Sequence, residues 1–118
     1  MAKKNERPWG HYTNLRNHPG TLVKEMVVQP GHRMSLQSHE HREEYWFGVS
    51  GEGIAVINDA EYLIAPGLMN WVPQGAIHRI DNRSGTEPLV MIEVQIGEKL
   101  SEDDITRYQD DYARVDNK

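Results

Sequence analysis

Short runs of alternating apolar and polar residues, cut at close intervals by turn signals, dominate this 118-residue chain. Over residues 21–29 the alternation places Leu22, Lys24, Met26 and Val28 on one face and Val23, Glu25 and Val27 on the other, the period-two signature of a strand. Residues 44–49, 53–57, 61–64, 68–72 and 89–95 are rich in β-branched and aromatic types and read as strands too. Between the predicted strands lie Pro30-Gly31, Ser50-Gly51-Glu52-Gly53, Asn58-Asp59, Ala65-Pro66-Gly67, Pro73-Gln74-Gly75 and Arg83-Ser84-Gly85, which supply the backbone angles that tight turns need. Many short strands with such punctuation predict an all-β sandwich or closed barrel, since no helical segments alternate with them as a parallel α/β fold requires. Only the end departs from this pattern. Ser101-Glu102-Asp103-Asp104 resembles a capping box, and Ile105, Tyr108 and Tyr112 share one face if a short helix follows; the alternative is an extended tail that wraps the barrel. No internal repeat or linker divides the chain. The expectation is one domain over residues 1–118, with an N-terminal arm at 1–19, a barrel core at about 20–97 and a C-terminal tail at 98–118.

Composition narrows the chemistry. Hydrophobic residues make up 37% and charged residues 26%, the balance of an ordinary globular domain. With 13 basic against 18 acidic residues and a net charge of −5, nucleic acid is not the expected partner, because phosphate backbones call for a basic surface. No apolar run is long enough to span a bilayer or to follow the basic N-terminus as a signal peptide, so no membrane partner and a cytoplasmic location are expected. Cysteine is absent. Any metal must therefore be held by His, Asp or Glu, and the six histidines become the residues of interest.

Two of them stand in His39-Glu40-His41-Arg42-Glu43-Glu44. On a regular strand His39 and His41 project the same way, with Gln37, Ser35 and Arg33 on that face. Glu44 has the wrong parity, and joins them only if a turn or bulge follows His41. An isolated His-x-His is more often a surface pair than a metal site. A second segment changes the weighing: Gly67, Pro73, Gly75, His78 and Asn82 fall at the spacing Gly-x5-Pro-x-Gly-x2-His-x3-Asn, a match that arises by chance at a given start about once in a million on average residue usage.

These two segments resemble the paired motifs of the cupins. The resemblance implies a single-domain jelly-roll barrel (a double-stranded β-helix) with a metal inside, held by His39, His41, Glu44 and His78. Imidazoles with a carboxylate suit one divalent ion, whether zinc, manganese, iron, cobalt or nickel. Further residues narrow the resemblance. Arg7-Pro-Trp-Gly10, Val23-Lys24, Ser35-Leu36-Gln37, Glu44-Tyr45-Trp46, Ile92-Glu93-Val94-Gln95, Gly97-Glu98 and the stretch from Glu102 through Arg107 to Arg114 are similar to the type II mannose-6-phosphate isomerase domain. In many bacteria that domain is the C-terminal part of a bifunctional enzyme with a mannose-1-phosphate guanylyltransferase. No guanylyltransferase domain is expected within these residues. Glu40 and Tyr45 stand where that family often has histidine, and Glu25 where it often has a basic residue.

The resemblance implies an aldose–ketose isomerase converting mannose 6-phosphate to fructose 6-phosphate. Such a reaction needs an electrophile, a base beside the carbon proton and cations for phosphate. Glu93 is the candidate base, with Glu44 second. Lys24, Arg33, Arg42 and Arg107 are the candidate phosphate cations, and Gln37 and Gln95 could bond sugar hydroxyls. Trp9, Trp46 and Trp71 are expected in the core. A homodimer is the expected assembly. Two other readings compete: a non-catalytic metal- or sugar-binding module, and an iron-dependent dioxygenase using the same ligands.

Overall fold

The computed structural model describes residues 3–113; Arg114 and the other residues of the expected tail beyond 113 lie outside them. The described chain is all-β, with eleven strands. One sheet has six strands in the order β1 (Lys4–Arg7), β2 (Gly10–His18), β3 (Thr21–Val28), β10 (Leu89–Gly97), β5 (Arg42–Ser50), β8 (Met69–Val72). The other has five, in the order β11 (Thr106–Gln109), β4 (Leu36–Ser38), β9 (His78–Asp81), β6 (Gly53–Ile57), β7 (Ala60–Ile64). All named strand pairs are antiparallel, and the two sheets enclose one core in a jelly-roll barrel. The stretch before residue 20 supplies β1 and β2 to the larger sheet. No helix of the described residues is long and apolar enough to cross a membrane.

The alternation read in β3 is the one the fold uses. Leu22, Lys24, Met26 and Val28 are all buried, and the register sets them beside the inward residues of β10, with Lys24 opposite Glu93, Met26 opposite Met91 and Val28 opposite Leu89. On the other flank of β10, Glu93 lies opposite Trp46 and Gln95 opposite Glu44. The interior is therefore graded along the strands. One end is packed with Val28, Leu89, Met91, Ile80 and Ala55, each fully buried, while the other carries buried Lys24, Arg42, Glu44, His78 and Glu93. Trp9 and Trp46 fill the core as expected, but Trp71 is 52% exposed. It stands on the outer face of β8 opposite Tyr45, its indole N–H donating to Glu43.

The turn residues act as their types dictate. Asn58 and Asp59, both at positive φ, form the two-residue β6–β7 hairpin loop. Gly48 lets two segments touch, since a Cβ there would lie 1.9 Å from the Ala65 carbonyl oxygen. Asn82 is 1% exposed, and its amide donates to the carbonyls of Val28 and Glu87 at 2.9 and 3.0 Å.

The tail is extended and not helical. The cap at Ser101 is real, with its hydroxyl accepting from the Asp103 amide at 3.1 Å, but the turn does not propagate. Asp104 turns its carbonyl and carboxylate to His39, Glu40 and His41, and Thr106–Gln109 pairs with β4. Ladder hydrogen bonds and the β-preferring Thr106 and Tyr108 outweigh the local helical signal.

Asn82→Ala would leave the buried Val28 carbonyl and the part-buried Glu87 carbonyl without their side-chain donor. Loss of about 2–4 kcal/mol of unfolding free energy is expected, read by urea denaturation of both proteins.

Candidate functional site

Three residues converge at the polar end. His39 follows β4, Glu44 lies in β5 and His78 opens β9, and one ligand atom from each lies within 4.8 Å of the others. All three are buried. His39 Nε2 is 3.4 Å and His78 Nε2 3.9 Å from the Glu44 carboxylate, and the two rings lie with centroids 4.9 Å apart.

The hydrogen bonds settle which ring nitrogens face inward. His39 Nδ1 sits 2.6 Å from the Asp104 carbonyl and His78 Nδ1 2.9 Å from the Ala76 carbonyl. A carbonyl only accepts, so each Nδ1 carries the proton and each Nε2 presents a lone pair towards Glu44. Arg42 Nη2 donates to His39 Nε2 at 3.2 Å, which agrees. Backbone carbonyls that fix the outer nitrogen are the usual support of histidine metal ligands. Two neutral imidazoles and a carboxylate thus fit a divalent ion on the chemistry of the donors alone. Burial, with Arg42 and His78 nearby, overrides the pull of Glu44 and pushes His39 down to about 4. Burial lowers His78 as well. Both rings are neutral, as metal ligands must be.

His41 does not join this group. Its ring is 46% exposed, nearest the Glu40 carboxylate at 3.9 Å. The strand that would align it with His39 ends at Ser38, and Glu40 and His41 form a turn whose amides donate to the Asp104 carboxylate at 2.9 and 3.0 Å. The same turn resets the parity so that Glu44 points inward. Gly75 belongs to this geometry: at φ 82° its amide donates to the His39 carbonyl at 3.0 Å.

Glu93 sits beside the three. The indole N–H of Trp46 lies 3.1 Å from Glu44 Oε1 and 3.2 Å from Glu93 Oε2, and the Gln95 amide donates to Glu93 Oε1 at 2.7 Å. Burial and repulsion from Glu44 raise Glu93 well above the usual carboxylate range, against Lys24, Arg42 and the Gln95 hydrogen bond. Burial disfavours charge on Glu44 too, but His78 and His39 when protonated, and Arg42 permanently, hold it below that range. With the histidines neutral, Arg42 Nε at 2.8 Å is the cation that keeps Glu44 ionised. Two neighbouring carboxyls are thus driven apart, one anionic and one protonated.

Of the expected phosphate cations, Lys24, Arg42 and Arg107 line the cavity beside these groups. Arg107 faces inward opposite Gln37, and its Nε has no hydrogen-bond partner among the described residues. Arg33 does not line that cavity. It precedes β4, bridges to Asp81 and forms a two-pronged pair with Asp111 at 2.9 and 3.0 Å, so strand parity does not reach it. Gln37 lines the cavity, and Gln95 is buried on Glu93. The structure adds residues the motifs do not mark. Tyr12 places its ring 4.1 Å from Lys24 Nζ and 5.0 Å from the Arg7 guanidinium, and Glu102 and Asp104 approach from the tail. Only the acidic run at 102–104 hinted at the last two.

Comparison with known proteins agrees with this architecture. The fold is that of CapF from Staphylococcus aureus, a capsular polysaccharide assembling protein, with a TM-score of 0.79 at 22% identity over 92% of this chain and 34% of that one. A predicted oxalate decarboxylase of Thermotoga maritima aligns with a TM-score of 0.71 at 23% identity, covering 82% of this chain and 92% of that one. By sequence the chain is 42% identical over 109 residues to the alginate biosynthesis protein AlgA of Pseudomonas aeruginosa, covering 92% of this chain and 22% of that protein. It is 38% identical over 115 residues to the mannose-1-phosphate guanylyltransferase ManC of Salmonella typhimurium, covering 98% of this chain and 24% of that protein. The chain thus spans under a quarter of the length of these curated relatives.

Two outcomes test the site. His39→Ala, His78→Ala and Glu44→Ala should each abolish stoichiometric divalent metal, measured by mass spectrometry of dialysed protein, while His41→Ala retains it. Glu93 has a folded pKa above its unfolded value, so its contribution to stability falls as pH rises from the usual carboxylate range through the folded pKa. Glu93→Gln escapes that loss, and its stability relative to the parent should climb between about pH 4.5 and neutrality, read by denaturation at several pH values.

The profile of the family described as mannose-6-phosphate isomerase C-terminal matches residues 1–110, and the chain belongs to that family.

Proposed function

We propose that this domain is a metal-dependent aldose–ketose isomerase that interconverts mannose 6-phosphate and fructose 6-phosphate. The observation that carries the reading is the split carboxyl pair: Glu93 with a raised pKa beside anionic Glu44 and two inward imidazole lone pairs. Family membership supplies the substrate class.

His39, His78 and Glu44 would hold one divalent ion, of the zinc, manganese, iron, cobalt or nickel kind, which when bound supplies Lewis-acid stabilisation of developing charge on sugar oxygens. The remaining work falls to the chain. The isomerisation moves a proton between adjacent carbons, and a carboxyl that both takes and returns it works best with a pKa near the operating pH. Glu93 has that property through burial and through Glu44. Trp46 and Gln95 each donate to one of its two oxygens, which holds the carboxyl group in a defined orientation. Lys24, Arg42 and Arg107 provide positive charge for the phosphate on the same side of the barrel. The apolar half of the interior backs the site and limits water there, which strengthens each electrostatic contact.

The test is a coupled assay for fructose 6-phosphate formation. A chelator should abolish turnover and added metal restore it, while Glu93→Gln should lower kcat by about 10²–10⁴-fold with bound metal unchanged. Full metal occupancy without turnover of any hexose phosphate would leave a metal- or sugar-binding module in place of an enzyme.

A further inference from the structure

The cavity at the candidate site holds only about 60 Å³, whereas sites for small metabolites span roughly 300 Å³ or more. A hexose phosphate enters only if one wall moves. Most of the wall is strand, held in hydrogen-bonded ladders. Trp9, Met34, Ser35 and His39 lie in short connections between strands, and the stretch 98–105 between β10 and β11 likewise belongs to no strand. Its ties reach into the polar cavity instead. Glu102 Oε2 accepts from Lys24 Nζ at 2.5 Å, the Ser101 carbonyl from Arg42 Nη1 at 3.2 Å, and the Asp104 carbonyl from His39 Nδ1 at 2.6 Å.

The first tie is unequal. The Lys24 side chain is 4% exposed and that of Glu102 53%, so a carboxylate at the surface neutralises an ammonium in the interior. An ammonium so deep is costly without an anion beside it. Burial opposes charge on Glu102, but Lys24 and its hydrogen bond, with Arg42 and Arg7, hold its carboxyl below the usual range. The subsite therefore requires an anion, and Glu102 is the one the chain provides. A phosphoryl group carries more charge and three acceptor oxygens, enough to engage Lys24 and a neighbouring guanidinium together. Asp104 supplies the hinge, because its carboxylate is anchored on the amides of Glu40 and His41 and can stay there while residues 98–103 lift.

We propose that residues 98–103 form a displaceable strap hinged at Asp104, and that Glu102 is a built-in anion which occupies the Lys24 subsite until the phosphoryl group of a ligand replaces it. This rests on the sugar-phosphate reading of the site and adds the competitor that a ligand must displace.

Inorganic phosphate, titrated by calorimetry into the full chain at fixed ionic strength, is the probe. Glu102→Gln keeps the side chain's shape and removes its charge; it should tighten phosphate binding roughly fivefold or more. Adding Lys24→Met to that variant should abolish the gain. The unsubstituted chain offers a second reading that does not depend on any variant folding: phosphate, against chloride of equal ionic strength, should speed amide hydrogen exchange in residues 98–103. Equal phosphate affinity in the parent and the Glu102→Gln chain, a gain in affinity that survives loss of Lys24, or exchange that phosphate leaves unchanged would each overturn the strap. Its failure is distinct from that of the isomerase. A chain showing these effects but no turnover of mannose 6-phosphate keeps the strap and loses the isomerase; turnover without them does the reverse.

Discussion

One indole N–H shared between two buried carboxyl groups is the contact on which the polar end of the barrel depends. Trp46 reaches Glu44 at 3.1 Å and Glu93 at 3.2 Å, and a closed interior cannot hold two adjacent anions without strong repulsion. Arg42 lies against Glu44 and selects it as the ionised partner, which forces the proton onto Glu93. Strand register makes this unavoidable. Lys24, Glu93 and Trp46 sit in one row across β3, β10 and β5, and Gln95 and Glu44 in the next. A slip of one residue in any of these strands would turn the charged set outward and expose its apolar neighbours.

The fold and much of the site were legible in the sequence because both rest on short-range rules. Period-two alternation in β3 marked Lys24 as interior among Leu22, Met26 and Val28, against the ordinary preference of lysine for water. The glycine and asparagine positions of the second motif were legible for the same reason: Gly75 takes a positive φ and Asn82 ties two backbone carbonyls through its side-chain amide. Reading failed where a long-range contact overrode a local signal. His41 follows the alternation of His39 in sequence, but Asp104, 63 residues away, holds its amide in a turn. The same aspartate consumed the capping signal at Ser101, and the tail became a strap. Arg33 and Trp71 show the complementary failure. Strand parity suggested the interior for Arg33 and side-chain type suggested it for Trp71, whereas position before β4 and on the outer face of β8 decided the outcome.

The charges around the cavity explain why this geometry favours an anionic ligand. With Glu93 protonated and both histidines neutral, Glu44 and Glu102 face Lys24, Arg42 and Arg107. Arg42 is already divided, bonding Glu44, His39 and the Ser101 carbonyl at once. A divalent cation held by the two imidazoles and Glu44 would add positive charge where Arg42 now donates. Through a low-dielectric interior that charge is felt at the neighbouring subsites, so the balance is restored by an incoming anion more readily than by a neutral sugar. Cation and anion would then each favour the other's binding by the same factor, as linkage requires. The polar end of the barrel is thus best understood as one electrostatic unit, in which Glu44, Arg42 and Lys24 connect the donor set to the strap.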